Sequence, residues 1–181
     1  MIFYHVSSYV SEYQKLTRKS KNNRCICEYI SNCSNESYQN YQYYYNELKG
    51  YHIKDISGRD AEKWISEAIF DGVRKKYYIN KPSRIWGIFL SDSFTNAKEF
   101  LLEHRDPQTS HIYEVDIPYN VCGFDMSFFS KADEKIRDEN FSVDSYHYAV
   151  RLAKDYWKQA IKNRIDEYIV DDEITIGKRV L

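Results

Sequence analysis

The sequence predicts an α+β domain built on a mixed or antiparallel β-sheet with flanking helices. Segments of strand character stand at the start, in the middle and at the end of the chain, and helical patterns separate them. Their irregular separation argues against successive βαβ units, and the chain has no Gly-rich phosphate loop. Because 181 residues with 43% hydrophobic residues suit one hydrophobic core, we expect a single domain over residues 1–181.

The first half of the chain combines one predicted strand, a polar region and one long helix. Residues 2–7 are rich in aromatic and β-branched side chains, which predicts the first strand, and residues 8–14 are expected to open a helix. Tyr, Asn and Ser concentrate at about 17–57, which we interpret as an insertion, and residues 17–37 within it have the composition of a loop. Apolar residues at helical spacing then predict a helix over 61–73.

The second half alternates more regularly between strands and helices. Residues 85–91 are apolar almost throughout, which predicts a central strand, and Ser93 or Thr95 would cap the helix that follows. Residues 145–162 have the apolar stripe of an amphipathic helix, whereas 131–144 are charged and expected to be exposed. The remaining predicted strands are 110–117, 167–170 and 173–180.

Composition excludes several classes of protein. With 26 Lys and Arg against 27 Asp and Glu, the formal net charge is −1, which excludes a uniformly basic nucleic-acid-coating protein. No apolar run reaches the roughly 20 residues that cross a bilayer, and the N-terminus becomes polar too soon for a signal peptide. We therefore expect a cytoplasmic protein without a membrane partner. The C-x-C spacing at Cys25 and Cys27 is not that of a zinc site, so free thiols and no metal are expected.

Two polar residues interrupt strand-like segments. His5 follows three apolar or aromatic residues, and Glu167 opens the strand at 167–170. Such groups are costly to bury unless they are paired or line a cleft. Taken alone, they are more simply interpreted as an edge-strand histidine and an exposed glutamate.

Three segments resemble the motifs of one enzyme family and occur in its order. Tyr4-His5-Val6-Ser7 is similar to a Tyr/Phe-His-Gly-Ser/Thr motif, residues 87–92 resemble a G-I-Y-F-A-D strand, and residues 166–171 resemble a catalytic glutamate strand. These are the motifs of the poly-ADP-ribose-polymerase branch of the ADP-ribosyltransferases, which carries a His-Tyr-Glu triad. The chain also resembles small bacterial proteins of unknown function that look like compact ADP-ribosyltransferases, through residues 82–84, 112–115, 156–157 and the Glu167 strand.

The resemblance implies a fold, a reaction and two catalytic residues. The fold would be a split mixed or antiparallel sheet, and the reaction mono-ADP-ribosyl transfer from NAD+ to a macromolecular acceptor. Glu167 would stabilise the oxocarbenium-like transition state that forms as the nicotinamide–ribose bond breaks. His5 would hydrogen-bond the adenosine ribose, and the backbone of His5 and Val6 would hold the nicotinamide amide.

The resemblance also implies a set of NAD+-binding residues. Phe89 replaces the tyrosine of the triad, and Phe100 occupies the place of a tyrosine that stacks on nicotinamide. Ala97 replaces a serine that bonds the carboxamide, a loss that would weaken binding unless Ser91 or Thr95 takes over this role. Arg84 would pair with the pyrophosphate. The full implied set is His5, Val6, Ser7, Arg84, Phe89, Ser91 and Phe100.

Several alternatives remain open at the level of sequence. The cleft would equally serve an NAD+ glycohydrolase, or an inactive module that binds ADP-ribose or a nucleotide. The acceptor would be a protein or a nucleic acid, and the expected setting is a bacterial toxin or phage-defence effector with an antitoxin as partner. The aromatic run at 38–45 is interpreted as a flap over the cleft, with a base-stacking surface as the second interpretation.

Overall fold

The computed structural model describes residues 2–16, 22–35, 37–50, 61–117, 121–159 and 167–181. The chain divides into two compact units. Unit 1 comprises Met1–Ser20, Trp86–Phe124 and Arg164–Leu181, and unit 2 comprises Lys21–Ile85 and Asp125–Asn163. No linker marks this division in the sequence, because each unit is assembled from segments that are far apart in the chain.

The described part of the chain contains strands in unit 1 and helices in both units. The strands are β1 (Ile2–Ser7), β2 (Lys15–Leu16), β3 (Ile88–Leu90), β4 (His111–Asp116), β5 (Cys122–Phe124), β6 (Glu167–Val170) and β7 (Ile174–Arg179). The helices are α1 (Asn22–Cys33), α2 (Tyr38–Gly50), α3 (Ala61–Tyr77), α4 (Phe94–His104), α5 (Ser127–Asp138) and α6 (Val143–Trp157). The prediction of an α+β fold is therefore confirmed.

Unit 1 is built from two antiparallel sheets. One has the strand order β1-β4-β7-β2 and the other β3-β6-β5. The two sheets share a core of buried side chains, which includes Phe3, Ile88, Leu90, Val115 and Ile176. These residues alternate along their strands, as expected for strands with one covered face. Helix α4 packs Ala97 and Leu101 against Ile112 on β4. As predicted, Ser93 caps this helix by accepting a hydrogen bond from the N–H of Asn96.

Unit 2 is helical in the residues that the structure describes. Trp157 on α6 is fully buried, and its indole N–H donates to the carbonyl of Phe70 on α3 over 2.7 Å. Tyr156 packs edge-on against Phe70. The predicted amphipathic helix is confirmed at Val143–Trp157, with Ser142 as its cap, and residues 160–162 lie outside the described part of the chain.

Two predictions of local structure are wrong, and a third is correct only in part. Residues 8–14 form turns and bends rather than a helix, and the N–H of Ser11 donates to the side-chain oxygen of Gln14 over 3.0 Å within them. The loop predicted at 17–37 contains α1, which buries Cys27 and Ile30 among polar neighbours. The stretch at 131–144, predicted to be exposed, is exposed at about half of its residues, but Ala132, Ile136 and Phe141 within it are buried. Residues 17–21 and 51–60 of the predicted insertion lie outside the described residues.

We expect Gly177→Ala to destabilise unit 1, because a Cβ at Gly177 would lie 2.7 Å from the backbone oxygen of Glu114 on the neighbouring strand. Backbone in a paired strand cannot move aside as a flexible side chain would, so the expected loss is about 1–3 kcal/mol of unfolding free energy. Gly50→Ala is the control, since a Cβ there would meet nothing within 4 Å. Urea unfolding of both variants measures the difference, and equal midpoints would contradict the close approach of β4 and β7.

Candidate functional site

Strands β1 and β3 meet at a single bridge and then separate. The N–H of Tyr4 donates to the carbonyl of Ser91 over 2.8 Å, and the N–H of Ser91 donates to the carbonyl of Tyr4 over 2.9 Å. Beyond this bridge, the described residues of β1 and β3 show no further strand pairing. Instead, Nδ1 of His5 lies 3.0 Å from the carbonyl oxygen of Phe89. We call the gap between β1 and β3, bounded by the bridge, His5 and Phe89, the slot.

The bond to Phe89 fixes which nitrogen of His5 carries a proton. A carbonyl oxygen only accepts hydrogen bonds, so Nδ1 is the donor over this distance. In the neutral imidazole, Nε2 is then the acceptor. The hydrogen bond from the His5 side chain to the Phe89 carbonyl thus takes the place of a further backbone hydrogen bond between β1 and β3.

The backbone of Val6 points towards the slot. Its partner across β1 and β4 is Ile112, whose own N–H and C=O are engaged on the other side, with Leu181 and Val180 over 2.9 Å each. Val6 and Ile112 therefore form a non-hydrogen-bonded pair, and the N–H and C=O of Val6 face the same edge as those of Tyr4. The Val6 side chain packs against the cluster of Ala97, Leu101 and Ile112, and so is turned into the core of unit 1.

Glu167 opens β6, the strand on the other side of β3. It lies across from Phe124 and is 7% exposed. Strand β6 pairs with β3 through Phe89 and Ile169, and the same register continued to the next residues places Glu167 beside Ser91. Glu167 is thus two strand spacings from β1, about 10 Å in the direction of the strand hydrogen bonds.

A second contact links the two strands next to Glu167. The hydroxyl of Tyr168 donates to Oδ2 of Asp92 over 2.9 Å, and the Tyr168 ring packs edge-on against Phe3. Burial, together with the hydrogen bond to Asp92, raises the pKa of Tyr168 to about 12. The hydroxyl therefore remains a proton donor at neutral pH and holds the start of β6 to the end of β3. Sequence reasoning missed this pair, since only the strand register brings the two residues together.

Five of the predicted site residues lie on the strands at the slot or on the strand next to it. His5, Val6, Phe89, Ser91 and Glu167 lie on three neighbouring strands of unit 1. This arrangement follows from the antiparallel pairing of segments at opposite ends of the chain.

Two further predicted residues of unit 1 have local contacts. The hydroxyl oxygen of Ser7 accepts a hydrogen bond from the N–H of Tyr9 over 3.1 Å, which closes the turn after β1. The Phe100 ring is 38% exposed and lies beside His104 and Arg105 at the end of α4. No contact of the described residues brings Phe100 to the slot.

Arg84 belongs to unit 2 and is held there by buried partners. Its Nε and Nη2 lie 3.1 and 3.2 Å from the two carboxylate oxygens of Glu67, and its Nη1 donates to the hydroxyl of Tyr156 over 2.9 Å. The guanidinium stacks on the Phe129 ring with its centre 4.3 Å from the ring centroid. At 4% exposure, the group is committed to this ion pair, so we assign Arg84 a structural role in place of pyrophosphate binding.

Two searches of the described residues were negative. No group of three or more His, Cys, Asp or Glu side chains in these ranges is arranged to hold a metal ion. Among the helices that the structure describes, none combines the length and the apolar character needed to cross a bilayer.

A family model described as "Protein of unknown function (DUF2441)" matches residues 3–181. No curated protein matches the chain.

We expect Arg84→Met to destabilise unit 2 strongly, because it leaves the Glu67 carboxylate buried without its cation. The expected loss is about 3–5 kcal/mol of unfolding free energy, whereas Arg84→Met combined with Glu67→Leu recovers much of it. Arg105→Met, which removes an exposed arginine from α4, is the control. Urea unfolding of the four proteins distinguishes these cases, and an Arg84→Met variant as stable as the control would exclude the buried ion pair.

Proposed function

The chain belongs to the DUF2441 family, and we propose that this member is a mono-ADP-ribosyltransferase that uses NAD+. One observation carries the proposal: His5, Phe89 and Glu167 lie on three neighbouring strands, and the edge of β1 at the slot presents the backbone of Val6, which has no strand partner there among the described residues. The split between the two sheets of unit 1 is the feature that the resemblance to ADP-ribosyltransferases leads one to expect.

The proposed reaction gives the Glu167 carboxylate a chemical role. In the proposed reaction the bond between nicotinamide and ribose breaks, and the electron pair leaves with nicotinamide. The ribose becomes oxocarbenium-like, and an acceptor nucleophile attacks it and then releases its proton. A largely buried carboxylate stabilises this positive charge more strongly than a solvated one would, because water screens it less.

The slot offers complementary groups for a carboxamide. Such an amide has one acceptor oxygen and two N–H donors, and the Val6 backbone presents one N–H and one C=O along the same strand edge. Glycine is usual at this position in the resembled family, and a bulkier side chain would threaten the approach of the ligand. Here the Val6 side chain packs into the core, so the backbone edge stays accessible.

His5 would position the ribose rather than act on the reacting bond. With Nδ1 bonded to Phe89, the neutral ring presents Nε2 as an acceptor for a sugar hydroxyl. The same bond explains how phenylalanine can occupy the place of the triad tyrosine: position 89 supports His5 through its carbonyl, which any residue supplies. The Phe89 side chain, half-buried, would contribute an apolar wall.

The wider setting is part of the proposal. We infer a cytoplasmic enzyme with a protein or nucleic-acid acceptor, acting as a toxin or phage-defence effector under the control of an antitoxin. An NAD+ glycohydrolase would use the same slot with water as acceptor. The missing hydroxyl at Phe89 favours, as the second candidate, an inactive module that binds ADP-ribose or a nucleotide.

We expect Glu167→Gln to reduce nicotinamide release from NAD+ by at least about 100-fold, because it removes the charge that stabilises the transition state. Binding of NAD+ should change little, since the neutral amide keeps the size and much of the hydrogen bonding of the carboxylate. Nicotinamide release with and without cell lysate, and NAD+ binding by calorimetry, measure the two effects.

The matched control is Glu173→Gln, which alters an exposed glutamate paired with Lys15 and should leave release unchanged. Release that rises with lysate and labels a macromolecule indicates a transferase, and release indifferent to lysate indicates a glycohydrolase. NAD+ binding without release favours the inactive module. Normal turnover by Glu167→Gln would refute the proposed role of this residue.

We expect His5→Ala to act mainly on NAD+ binding. Because His5 would contact a sugar remote from the breaking bond, KM for NAD+ should rise about tenfold while kcat falls less than about threefold. Initial rates over a range of NAD+ concentrations provide both constants. His104→Ala, which removes an exposed histidine at the end of α4, is the control. An unchanged KM would show that His5 does not bind the substrate.

A further inference from the structure

A row of positively charged side chains follows the outer face of α6 in unit 2. Arg151, Lys154 and Lys158 are spaced three and four residues apart, so they lie on one side of the helix, opposite the buried stripe of Tyr156 and Trp157. None of the three forms an ion pair with a described residue, and Asp144 and Asp155 are acidic residues on the same face.

Aromatic rings are interleaved with these cations. The Arg151 guanidinium lies 5.0 Å from the centroid of the Tyr148 ring. The ammonium groups of Lys154 and Lys76 lie 4.7 and 5.2 Å from the centroid of the Tyr77 ring at the end of α3, and this ring is 47% exposed. Two like charges therefore converge on one half-exposed ring. We call Arg151, Lys154, Lys158, Lys76, Tyr77 and Tyr148 the basic–aromatic stripe.

A surface cavity adjoins this stripe through Lys76. It has a volume of about 410 Å³, and Lys75, Lys76 and three short polar side chains line it together with Gly72. No acidic side chain is among its lining residues. Lys75 is bonded to Asp71, Ser31 and Asn32, and Lys76 is the second cation of the cavity wall.

Helix electrostatics explain only part of this arrangement. Lysines in the last turn of a helix are stabilised by the partial negative charge of its carboxyl end, which accounts for Lys76 on α3 and Lys154 on α6. The same effect falls off within one turn and does not reach Arg151 in the body of α6. It also does not explain why half-exposed tyrosines accompany the cations.

We propose that the basic–aromatic stripe binds single-stranded nucleic acid. Cations at helical spacing suit a chain of phosphates, and tyrosine rings between them suit unpaired bases, which stack on aromatic side chains without regard to sequence. A duplex hides the faces of its bases, so it would leave the tyrosine rings without a base to stack on. Unit 2 also contains more Lys and Arg than Asp and Glu, whereas unit 1 contains fewer. The site stands independently of the proposed chemistry at the slot.

Fluorescence anisotropy with a labelled single-stranded oligonucleotide of mixed sequence tests the proposal. The triple variant Arg151→Gln/Lys154→Gln/Lys158→Gln should bind at least about tenfold more weakly at low salt, and the slope of log affinity against log salt should fall by about 2. The control removes three exposed cations of unit 1, Lys98→Gln/Arg105→Gln/Lys178→Gln, and should leave affinity within about twofold of the unmodified protein's. Circular dichroism verifies that both variants fold. If the triple variant does not fold, the single variant Lys158→Glu, which changes an exposed residue, replaces it in the binding measurement.

A second pair of variants separates stacking from charge. Tyr77→Leu/Tyr148→Leu should weaken binding about fivefold or more, and Tyr9→Leu, at a ring that is 77% exposed in unit 1, should not. Competition by polyglutamate or by the matching duplex as strong as by the single strand would overturn the assignment. Unchanged binding by both the triple variant and the aromatic variant would also overturn it. The same holds if the unmodified protein does not bind the oligonucleotide. Nicotinamide release by the same variants is measured in parallel. It tests the chemistry proposed at the slot independently of nucleic-acid binding by the stripe.

Discussion

The single bridge between Tyr4 and Ser91 is the constraint on which the geometry of unit 1 depends. It ties β1 of the first sheet to β3 of the second through two hydrogen bonds, and pairing ends there. Because backbone groups near a core must find partners, an interrupted ladder has to be compensated. The His5 side chain supplies one such bond to Phe89, and the Val6 backbone edge is left to face the slot. A longer β1–β3 ladder would close the slot, and a missing bridge would let the sheets separate.

In unit 2 the main constraint is a charged group buried within a helical core. Arg84 places a guanidinium in that core. Glu67 neutralises its charge, the hydroxyl of Tyr156 accepts one of its hydrogen bonds, and the Phe129 ring stacks on its plane. Such a pair adds little net stability compared with apolar side chains of the same size, but either partner alone is costly. The requirement therefore specifies how α3 and α6 must pack. It also explains why an arginine beside a predicted strand belongs to the interior of the other unit.

The elements that sequence could predict are those whose apolar pattern is strong. Periodicity identified α3 and α6, and alternation identified β4, whereas α1 and α5 were missed because charged and amide side chains interrupt their few buried positions. At the slot, His5 and Glu167 could be singled out as polar residues within apolar segments. The bridge, the bond from His5 to Phe89 and the Tyr168–Asp92 pair depend on strand register, which a single sequence does not specify. The burial of Arg84 against Glu67 and Tyr156 depends on how α3 and α6 pack, which a single sequence does not specify either.

Two of the substitutions that separate this chain from the resembled motifs, at positions 6 and 89, fall where the strand backbone, rather than the side chain, forms or offers the hydrogen bond. At position 89 the carbonyl accepts from His5, and a phenylalanine carbonyl accepts as well as a tyrosine carbonyl. At position 6 the strand edge faces the slot while the valine side chain packs against Ala97 and Leu101. Ala97 itself is fully buried, so a serine hydroxyl there would need a partner inside the core. The positions of Val6, Phe89 and Ala97 in the fold thus account for all three departures, while Glu167 and His5 keep the side chains of the resembled motifs.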